Sequence, residues 1–335
     1  MALCSLTKAQ DYRFSQFYNA PLVLNPAMAG IQDADYRLNV SYNTQWQSIS
    51  NAYKTSSGSF DMPMFGDVAG MSKMGMGLSY LSDKAGTTNY GFTSINYAIA
   101  YHLKTTRFAQ LSAGLMLGYG QSNVNLSNVK WEDQHNGNNY DPSAASGESV
   151  FVEQVRYFDA GLGGIWTYYD PDYDRKFEIG ISGMHLNFPN HSFKAQYQDR
   201  LKPKIQLHAG MDMGFANFIL KPKIQVMNQG PSYFVNVGSL ASFRLGDQPD
   251  SRFTNAYVAS SFDIGMFYRF RESLMITAQY EHKKHLLVGL SYDFILSDLS
   301  SVSRSGGFEI ALRYQGQFKN QKINVKKDMY KKEKD

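Results

Sequence analysis

The sequence predicts an all-β protein, a transmembrane antiparallel β-barrel of about fourteen strands. Three observations favour this class: apolar residues alternate with small or polar ones in many segments, Tyr and Phe number 23 and 22 among 335 residues, and charged residues make up 19% of the chain. Alternation is typical of strands with two different faces, and soluble domains carry about 25% charged residues. The single cysteine excludes a disulfide scaffold. The longest apolar run, 97–101, excludes a bundle of transmembrane helices, each of which needs about 20 apolar residues.

In fourteen stretches every second residue is apolar, so the apolar side chains share one parity of the numbering. In the first, Leu38, Val40 and Tyr42 alternate with polar residues. The predicted strands are 36–46, 53–62, 73–82, 89–102, 107–121, 157–169, 176–186, 203–214, 218–228, 232–243, 256–270, 273–282, 285–296 and 307–316. An even number of strands of about 10 residues is typical of a bacterial outer-membrane barrel, although a soluble sandwich also alternates.

Two features favour the membrane over the sandwich. The parity opposite to the apolar one is rich in Gly, Ser, Asn, Gln, Lys and Asp, which suits a wet or plugged lumen. Aromatic residues also cluster near predicted strand ends, where an interfacial girdle is expected. These aromatic residues are Tyr101, Tyr119, Tyr168, Tyr169, Phe267, Tyr268, Phe270, Tyr292 and Phe294.

Connection lengths predict the topology and the domain boundaries. If the first strand rises from the periplasm, the long connections 122–156, 187–202 and 297–306 are outer loops. Residues 36–317 then form the barrel. Residues 318–335 form a basic periplasmic tail with seven lysines and three acidic residues. Beyond Phe318 at its start, the tail has one aromatic residue for base stacking, Tyr330, so we expect a solvated end and no nucleic-acid partner.

The N-terminal part is predicted to lie outside the strands. Residues 1–9 are interpreted as the remnant of a signal peptide, because Thr7-Lys8-Ala9 resembles the end of a secretory signal with cleavage before Gln10, although an apolar core of the usual length is missing. Residues 10–35 contain prolines and have no regular period. They are predicted to form an irregular segment in the lumen or across its inner mouth, since irregular backbone cannot face lipid.

Motifs for catalysis, metals and cofactors are weak or missing. The sequence has no Gly-x-Ser-x-Gly elbow, and nothing singles out a serine for an outer-membrane lipase. His282 and His285 have a spacing that could bind metal on a helix, but they are expected to mark a hairpin turn. The acidic stretch 131–141 lacks the spacing of a calcium loop. The sequence therefore predicts no enzyme, no metal and no cofactor.

Three stretches in order along the chain resemble one family. The N-terminal stretch contains Phe14, Ser15, Gln16, Asn25, Pro26 and Gly30; the central stretch contains His185, Asn187, Pro189, Asn190 and Phe193; the C-terminal stretch contains Gly289, Tyr292, Asp293, Ser297, Leu299 and Glu309. They are similar to the motifs of the PorP/SprF outer-membrane proteins of the type IX secretion and gliding systems of Bacteroidota. Leu290 stands where the family usually has Tyr, and Phe308 where it usually has His.

The resemblance implies a monomeric, FadL-like barrel in the outer membrane, with a plug-like N-terminal segment and no enzymatic role. It implies a partner that is a secreted protein, such as a gliding adhesin, engaged through its type IX C-terminal domain, or else a periplasmic ring lipoprotein. It also implies contact with the lipid of the outer membrane. The alternative is a FadL-like transporter of hydrophobic small molecules, which rests on fold analogy alone.

Roles for the motif residues are expectations as well. Asn25, Pro26 and Gly30 are expected to set a turn in the plug-like segment. Asp293 and Glu309 lie on the polar parity of adjacent predicted strands and are expected to face Arg or Lys in the lumen. The stretch 185–193 leads into an outer loop, so it is assigned equally to partner contact and to loop ordering.

Overall fold

The computed structural model describes residues 12–45, 53–66, 72–85, 90–124, 134–135, 139, 141, 144, 152–170, 172–193, 198–215, 217–245, 260–296 and 306–318. Fourteen strands lie within these ranges. They are β1 (Tyr36–Gln45), β2 (Tyr53–Gly66), β3 (Ser72–Ala85), β4 (Tyr90–Lys104), β5 (Ala109–Asn123), β6 (Gln154–Asp170), β7 (Arg175–Met184), β8 (Lys204–Gly214), β9 (Phe218–Gln229), β10 (Ser232–Leu245), β11 (Ser260–Arg269), β12 (Ser273–His282), β13 (Leu286–Ile295) and β14 (Gly307–Gly316).

The strands close into one antiparallel barrel in which every strand pairs with its neighbours in the chain. The barrel is sealed by β1 and β14, whose register runs from Tyr36 opposite Gly316 to Thr44 opposite Phe308. The predicted fourteen-stranded barrel is confirmed. We call the end that carries Tyr36 and Gly316 the inner end, and the opposite end the outer end.

The two faces of the barrel wall differ in polarity. Along β1, the exposed outward residues Leu38, Val40 and Tyr42 alternate with buried Asn39 and Ser41 on the lumen side. Large apolar side chains therefore cover the lipid-facing surface, and polar side chains line the lumen, as in outer-membrane barrels.

Two aromatic residues assigned to the girdle from the sequence point into the lumen instead. Phe267 is fully buried and packs against Phe17, and Tyr169 lines a cavity at the inner end. Each has an aromatic neighbour on the opposite parity, Tyr268 and Tyr168, so the sequence does not distinguish which of the two faces lipid.

Several strand ends also differ from the prediction, among them those of β7 and β2. The strand β7 ends at Met184 rather than at 186, because His185 has a left-handed backbone (φ 59°) that stops the extended chain. The strand β2 continues beyond 62 to Gly66, with an irregularity in register after Pro63. A proline at such a position removes no regular ladder hydrogen bond.

Residues 12–35 contain the helical turns of the described chain. They are 3₁₀ turns at Phe17–Asn19 and Pro26–Met28 and the four-residue helix α1 (Pro21–Leu24). Among the residues that the structure describes, no helix is long and apolar enough to cross a membrane. Phe17 and Leu24 of this segment pack against Leu240, Phe267 and Met275 of the strands and form the largest apolar cluster inside the barrel.

The lipid-facing surface predicts a depth-dependent cost of charge. Leu78 is an exposed residue at the middle of β3, and Leu103 is an exposed residue near the inner end of β4. We expect Leu78→Arg to lower the free energy of unfolding by about 2–4 kcal/mol, and Leu103→Arg by at most about 1 kcal/mol. Chemical denaturation in phospholipid vesicles measures both, and equal costs at the two positions would contradict the proposed membrane depth.

Candidate functional site

The N-terminal segment runs through the lumen from the outer end to the inner end. At the outer end, the Arg13 guanidinium pairs with Glu272 in the turn between β11 and β12. At the inner end, the Asp35 amide donates to the carbonyl of Gly316, one residue before β1 begins. We call residues 12–35 the luminal segment. Its contacts with the strands form the candidate functional site.

Two carboxylates of the C-terminal strands hold the start of the luminal segment. Glu309 on β14 accepts hydrogen bonds from the backbone N–H of Ser15 (2.7 Å) and of Gln16 (2.9 Å), and from the amide of Asn43 (2.8 Å). Asp293 on β13 accepts from the Ser15 hydroxyl at 2.7 Å. Glu309 is 1% exposed. A carboxylate buried in this way is costly unless hydrogen bonds replace its hydration, and here the luminal segment donates two of them.

Cations lie beside one of these carboxylates. Arg269 on β11 is 3.9 Å from Asp293 and 3.0 Å from Glu272, which also contacts Arg13. The expected cation opposite Asp293 is therefore present, whereas the partners described for Glu309 are amides. Partial burial opposes ionisation of Glu272, but the Arg269 and Arg13 guanidinium groups outweigh it and hold the pKa of that carboxyl below its ordinary value.

Asn25 lies against the wall at the middle of the segment. Its side-chain oxygen accepts from the Ala27 N–H at 2.9 Å and caps the 3₁₀ turn that starts at Pro26. Its side-chain nitrogen lies 3.1 Å and 3.0 Å from the carbonyl oxygens of Gly164 and Ile181. A side chain of this kind fixes both the turn and its distance from the barrel wall.

Glycines in the wall permit this close approach. A Cβ atom at Gly180 would lie 3.1 Å from the Asn25 amide nitrogen, and one at Gly163 would lie 2.9 Å from the ring of Pro26. Gly114 faces the Pro26–Ala27 backbone in the same way. These glycines stand on the luminal side of β5, β6 and β7, where the segment touches the strands through its backbone.

The inner part of the segment is held by an ion pair. Asp61 on β2 is fully buried and accepts two hydrogen bonds from Arg37, each at 2.9 Å, and one from the Gly30 N–H at 2.8 Å. Arg37 also donates to the carbonyl of Met28 at 3.0 Å. Gly30 has φ 67°, a backbone conformation that glycine adopts without strain.

Neutral side chains satisfy further carbonyl groups of the segment. His102 Nε2 donates to the carbonyl of Ala29 at 2.8 Å, and the Ser182 hydroxyl donates to that of Leu24 at 2.6 Å. The luminal segment thus has polar contacts with strands on several sides of the barrel.

The remaining N-terminal and C-terminal motif residues have mixed positions. Phe14 is buried against Ala20 and Leu81. Gly289 faces the Gln16 side chain in the lumen. Tyr292 is exposed on the lipid-facing side of β13.

Two motif residues of the C-terminal stretch cannot be placed. Ser297 and Leu299 lie outside the described residues.

The stretch 185–193 lies at the outer end and completes the barrel wall there. The strand β6 pairs with β5 from Gln154 but with β7 only from Leu162 onwards. Along the remaining edge of β6, the Asn187 amide donates to the carbonyl of Phe158 at 2.7 Å and accepts from the N–H of Ala160 at 3.1 Å. The Asn187 side chain, together with the Leu186 N–H that donates to the carbonyl of Ala160 at 2.9 Å, thus takes the place of the missing strand.

Other residues of this stretch order its backbone. Buried His185 Nδ1 lies 2.8 Å from Asp159 Oδ2, and the Asn190 side chain accepts from the Ser192 N–H at 3.3 Å. Pro189 is buried, and the ring of Phe193 packs against that of Tyr90 with 5.9 Å between centroids.

Sequence reasoning did not select several residues that hold the luminal segment. They are Arg13, Arg37, Asp61, His102, Arg269 and Glu272. A signal existed for Arg37 and Asp61, because both are charged residues on the polar parity of neighbouring strands.

The lumen contains two cavities of different character. One of about 20 Å³ lies beside Phe14, Phe17 and Phe234. The other, of about 810 Å³, lies at the inner end beside Tyr18, Lys176 and Lys223. No group of three or more metal-ligating side chains occurs among the residues with described positions.

Comparison with known families decides the assignment. The family described as "Type IX secretion system membrane protein PorP/SprF" matches residues 6–314. The chain belongs to this family. No individually curated protein matches it. The PorP/SprF assignment and the barrel together place the protein in the outer membrane, and the family and fold are those of secretion or transport membrane proteins.

Solved structures share the fold. The toluene transporter TbuX of Ralstonia pickettii is 12% identical, with a TM-score of 0.52 over 90% of this chain and 94% of that one. A deletion mutant of the monoaromatic hydrocarbon channel TodX is 11% identical, with a TM-score of 0.53 and the same coverage. A FadL homologue of Pseudomonas aeruginosa is 10% identical, with a TM-score of 0.46 over 89% and 94% of the two chains. At these identities the likeness to TbuX and to the TodX mutant shows the fold alone.

The Glu309 contacts predict a stabilising role for its charge. In Glu309→Gln, an N–H₂ group would replace one of the oxygens that accept from Ser15, Gln16 and Asn43. We expect a loss of about 1–3 kcal/mol in the free energy of unfolding, because a buried donor is left unsatisfied. Amide hydrogen exchange should also accelerate at 15–20. Glu153→Gln, at an exposed position, is the matched control, and unchanged exchange in Glu309→Gln would contradict the anchoring role.

The lowered pKa of Glu272 predicts a pH-dependent difference between the wild type and Glu272→Gln. A carboxyl whose pKa is lower in the folded state stabilises the protein above its unfolded pKa, about 4.3, and loses this effect as the pH falls through its folded pKa. We therefore expect the wild type to be more stable at pH 7 and the difference to vanish at acidic pH. Denaturation curves at several pH values test this, and a constant difference would refute it.

Proposed function

We propose that this type IX membrane protein is a non-enzymatic docking protein. It binds the C-terminal domain of a secreted protein, or a periplasmic ring component, and supports export or surface attachment of the secreted protein. The observation that carries the proposal is the luminal segment, which occupies the barrel of a secretion-family chain through hydrogen bonds from Ser15 to Gly30. A barrel occupied by its own chain is suited to binding partners at its ends.

The outer end offers an apolar surface for the secreted partner. Phe158 is 76% exposed on the outward face of β6, with its ring 5.9 Å from that of Tyr119. Phe188 is 48% exposed and follows Asn187, whose amide donates to the Phe158 carbonyl. Exposed aromatic residues on an ordered frame are typical of binding sites. His185 and Pro189 are buried, so in this proposal they position the surface, whereas Asn187 and Asn190 are exposed beside it.

The alternative of a hydrophobic small-molecule transporter receives less support from the described lumen. The apolar cavity beside Phe14 measures about 20 Å³, whereas apolar cavities that hold benzene are of about 150 Å³. The larger cavity at the inner end has four lysines and two arginines among its lining residues. Transport by this chain would require the luminal segment to leave its hydrogen-bond partners.

Affinity purification of the full chain from its native outer membrane, followed by mass spectrometry, tests the proposal. We expect stoichiometric recovery of a secreted protein with a C-terminal secretion domain or of a periplasmic ring component. For the outer surface, Phe158→Ser with Phe188→Ser should reduce recovery of the secreted protein at least tenfold. Tyr233→Ser, which alters an exposed aromatic residue at the outer end of β10, should leave it unchanged. Repeated recovery of the barrel alone, or only with lipids, would overturn the proposal.

A further inference from the structure

We infer that the inner end of the barrel carries a binding site for an acidic peptide segment of a protein partner. The inference rests on the proposed docking function and adds a second site to it, at the end opposite to Phe158 and Phe188. Short connections mark the inner end as the periplasmic one. The partner segment would therefore enter from the periplasm.

The site is the cavity of about 810 Å³ inside the strands, here called the vestibule. The luminal segment lines part of the vestibule with residues that include Tyr18, Met28 and Ile31. Strand residues and the turn between β12 and β13 line the rest. A volume of this size accommodates several side chains of an entering peptide.

The vestibule carries more positive than negative charge in its lining. Its lining contains six Lys and Arg residues but two acidic residues, Asp33 and Glu178. The Lys and Arg residues are Arg37, Lys176, Lys223, Lys283, Lys284 and Arg313. Arg37 is paired with Asp61 and Arg313 with Glu281, so the excess charge lies chiefly on Lys176, Lys223 and Lys284.

The lysines reach the vestibule from separate elements of the wall. Lys176 lies on β7, Lys223 on β9, and Lys283 and Lys284 in the turn after β12. Among the described residues, no carboxylate lies within ion-pair distance of Lys176, Lys223 or Lys284. The Lys223 ammonium group is 5.7 Å from the centre of the Tyr18 ring, so it lies next to the luminal segment.

Acidic residues near the vestibule offset part of this charge and leave a positive excess. Glu178 lies 3.7 Å from His208, and Asp212 is opposite Lys176 in the strand register but does not line the cavity. Asp172 and Asp174 lie in the adjoining turn, also outside the lining. Clefts lined by one sign of charge concentrate ligands of the opposite sign, and a pocket in a low-dielectric wall strengthens the effect.

The position inside the barrel favours a peptide over a lipid headgroup. The strands separate the vestibule from the surrounding bilayer, so an anionic lipid would have to leave its leaflet to reach Lys223. A chain segment from a periplasmic protein enters from the open inner end without that cost. Carboxylates of Asp and Glu side chains are the anionic groups that such a segment carries.

The test uses the full chain in an uncharged detergent and a fluorescein-labelled octaglutamate peptide, with octaglutamine as the uncharged reference. Fluorescence anisotropy should show salt-sensitive binding of octaglutamate and no binding of octaglutamine. Lys176→Glu with Lys223→Glu should weaken octaglutamate binding at least tenfold, and Lys176→Gln with Lys223→Gln should weaken it by a smaller factor. The control, Lys54→Glu with Lys84→Glu, alters two exposed lysines paired at the outer end and should change binding less than twofold.

Two further arms locate the site. Replacing the seven lysines of 318–335 by glutamine should leave most of the binding, and loss of all binding in that variant would assign it to the tail and overturn the inference. Phosphatidylglycerol that displaces the peptide at a lower concentration than unlabelled octaglutamate would overturn it in favour of lipid. Equal losses in the vestibule variants and in the outer control would also overturn it.

Failure here is distinguishable from failure of the docking function. If purification from the native membrane recovers a partner and the vestibule variants still bind octaglutamate as the wild type does, docking stands and the vestibule site is wrong. If the vestibule variants lose both the peptide and a periplasmic partner, while Tyr233→Ser retains both, both proposals are supported.

Discussion

The structure depends on hydrogen bonding inside a closed polar lumen. Closing fourteen strands encloses the polar parity of the wall, so buried groups such as Glu309 and Asp61 need partners in place of water. The luminal segment supplies them, because Ser15, Gln16 and Gly30 donate backbone N–H groups to these carboxylates. The segment therefore supplies part of the hydrogen bonding that these carboxylates need, and Asn43 and Arg37 on the strands supply the rest that is described.

This constraint explains how the motif stretches are placed. The N-terminal motif residues Ser15 and Gln16 meet the C-terminal motif residues Asp293 and Glu309 inside the barrel, although almost the whole chain separates them in sequence. The central motif acts elsewhere, since Asn187 completes the edge of β6 at the outer end. The N-terminal and C-terminal stretches thus fix the interior, and the central stretch shapes a surface.

The strands were predictable from the sequence, and most of the site was not. A period of two is a local signal, and it located all fourteen strands to within a few residues at their described ends. The partners of the carboxylates depend on contacts between residues as far apart as Ser15 and Glu309, which no local pattern encodes. Where neighbouring residues are both aromatic, as at Phe267, alternation does not say which one faces the lumen.

A shared barrel fold can serve different functions, because the residues of the lumen and of the two ends can differ while the strands keep the same arrangement. This chain and the toluene transporter TbuX have similar barrels at 12% identity, and a fold of this kind does not by itself determine what is bound. In this chain the interior is held by charged hydrogen bonds, with exposed aromatic residues at one end and a cavity with lysines in its lining at the other. Because the luminal segment contacts Lys223 through Tyr18 and Glu309 through Ser15, it links the inner cavity physically to the outer half of the barrel.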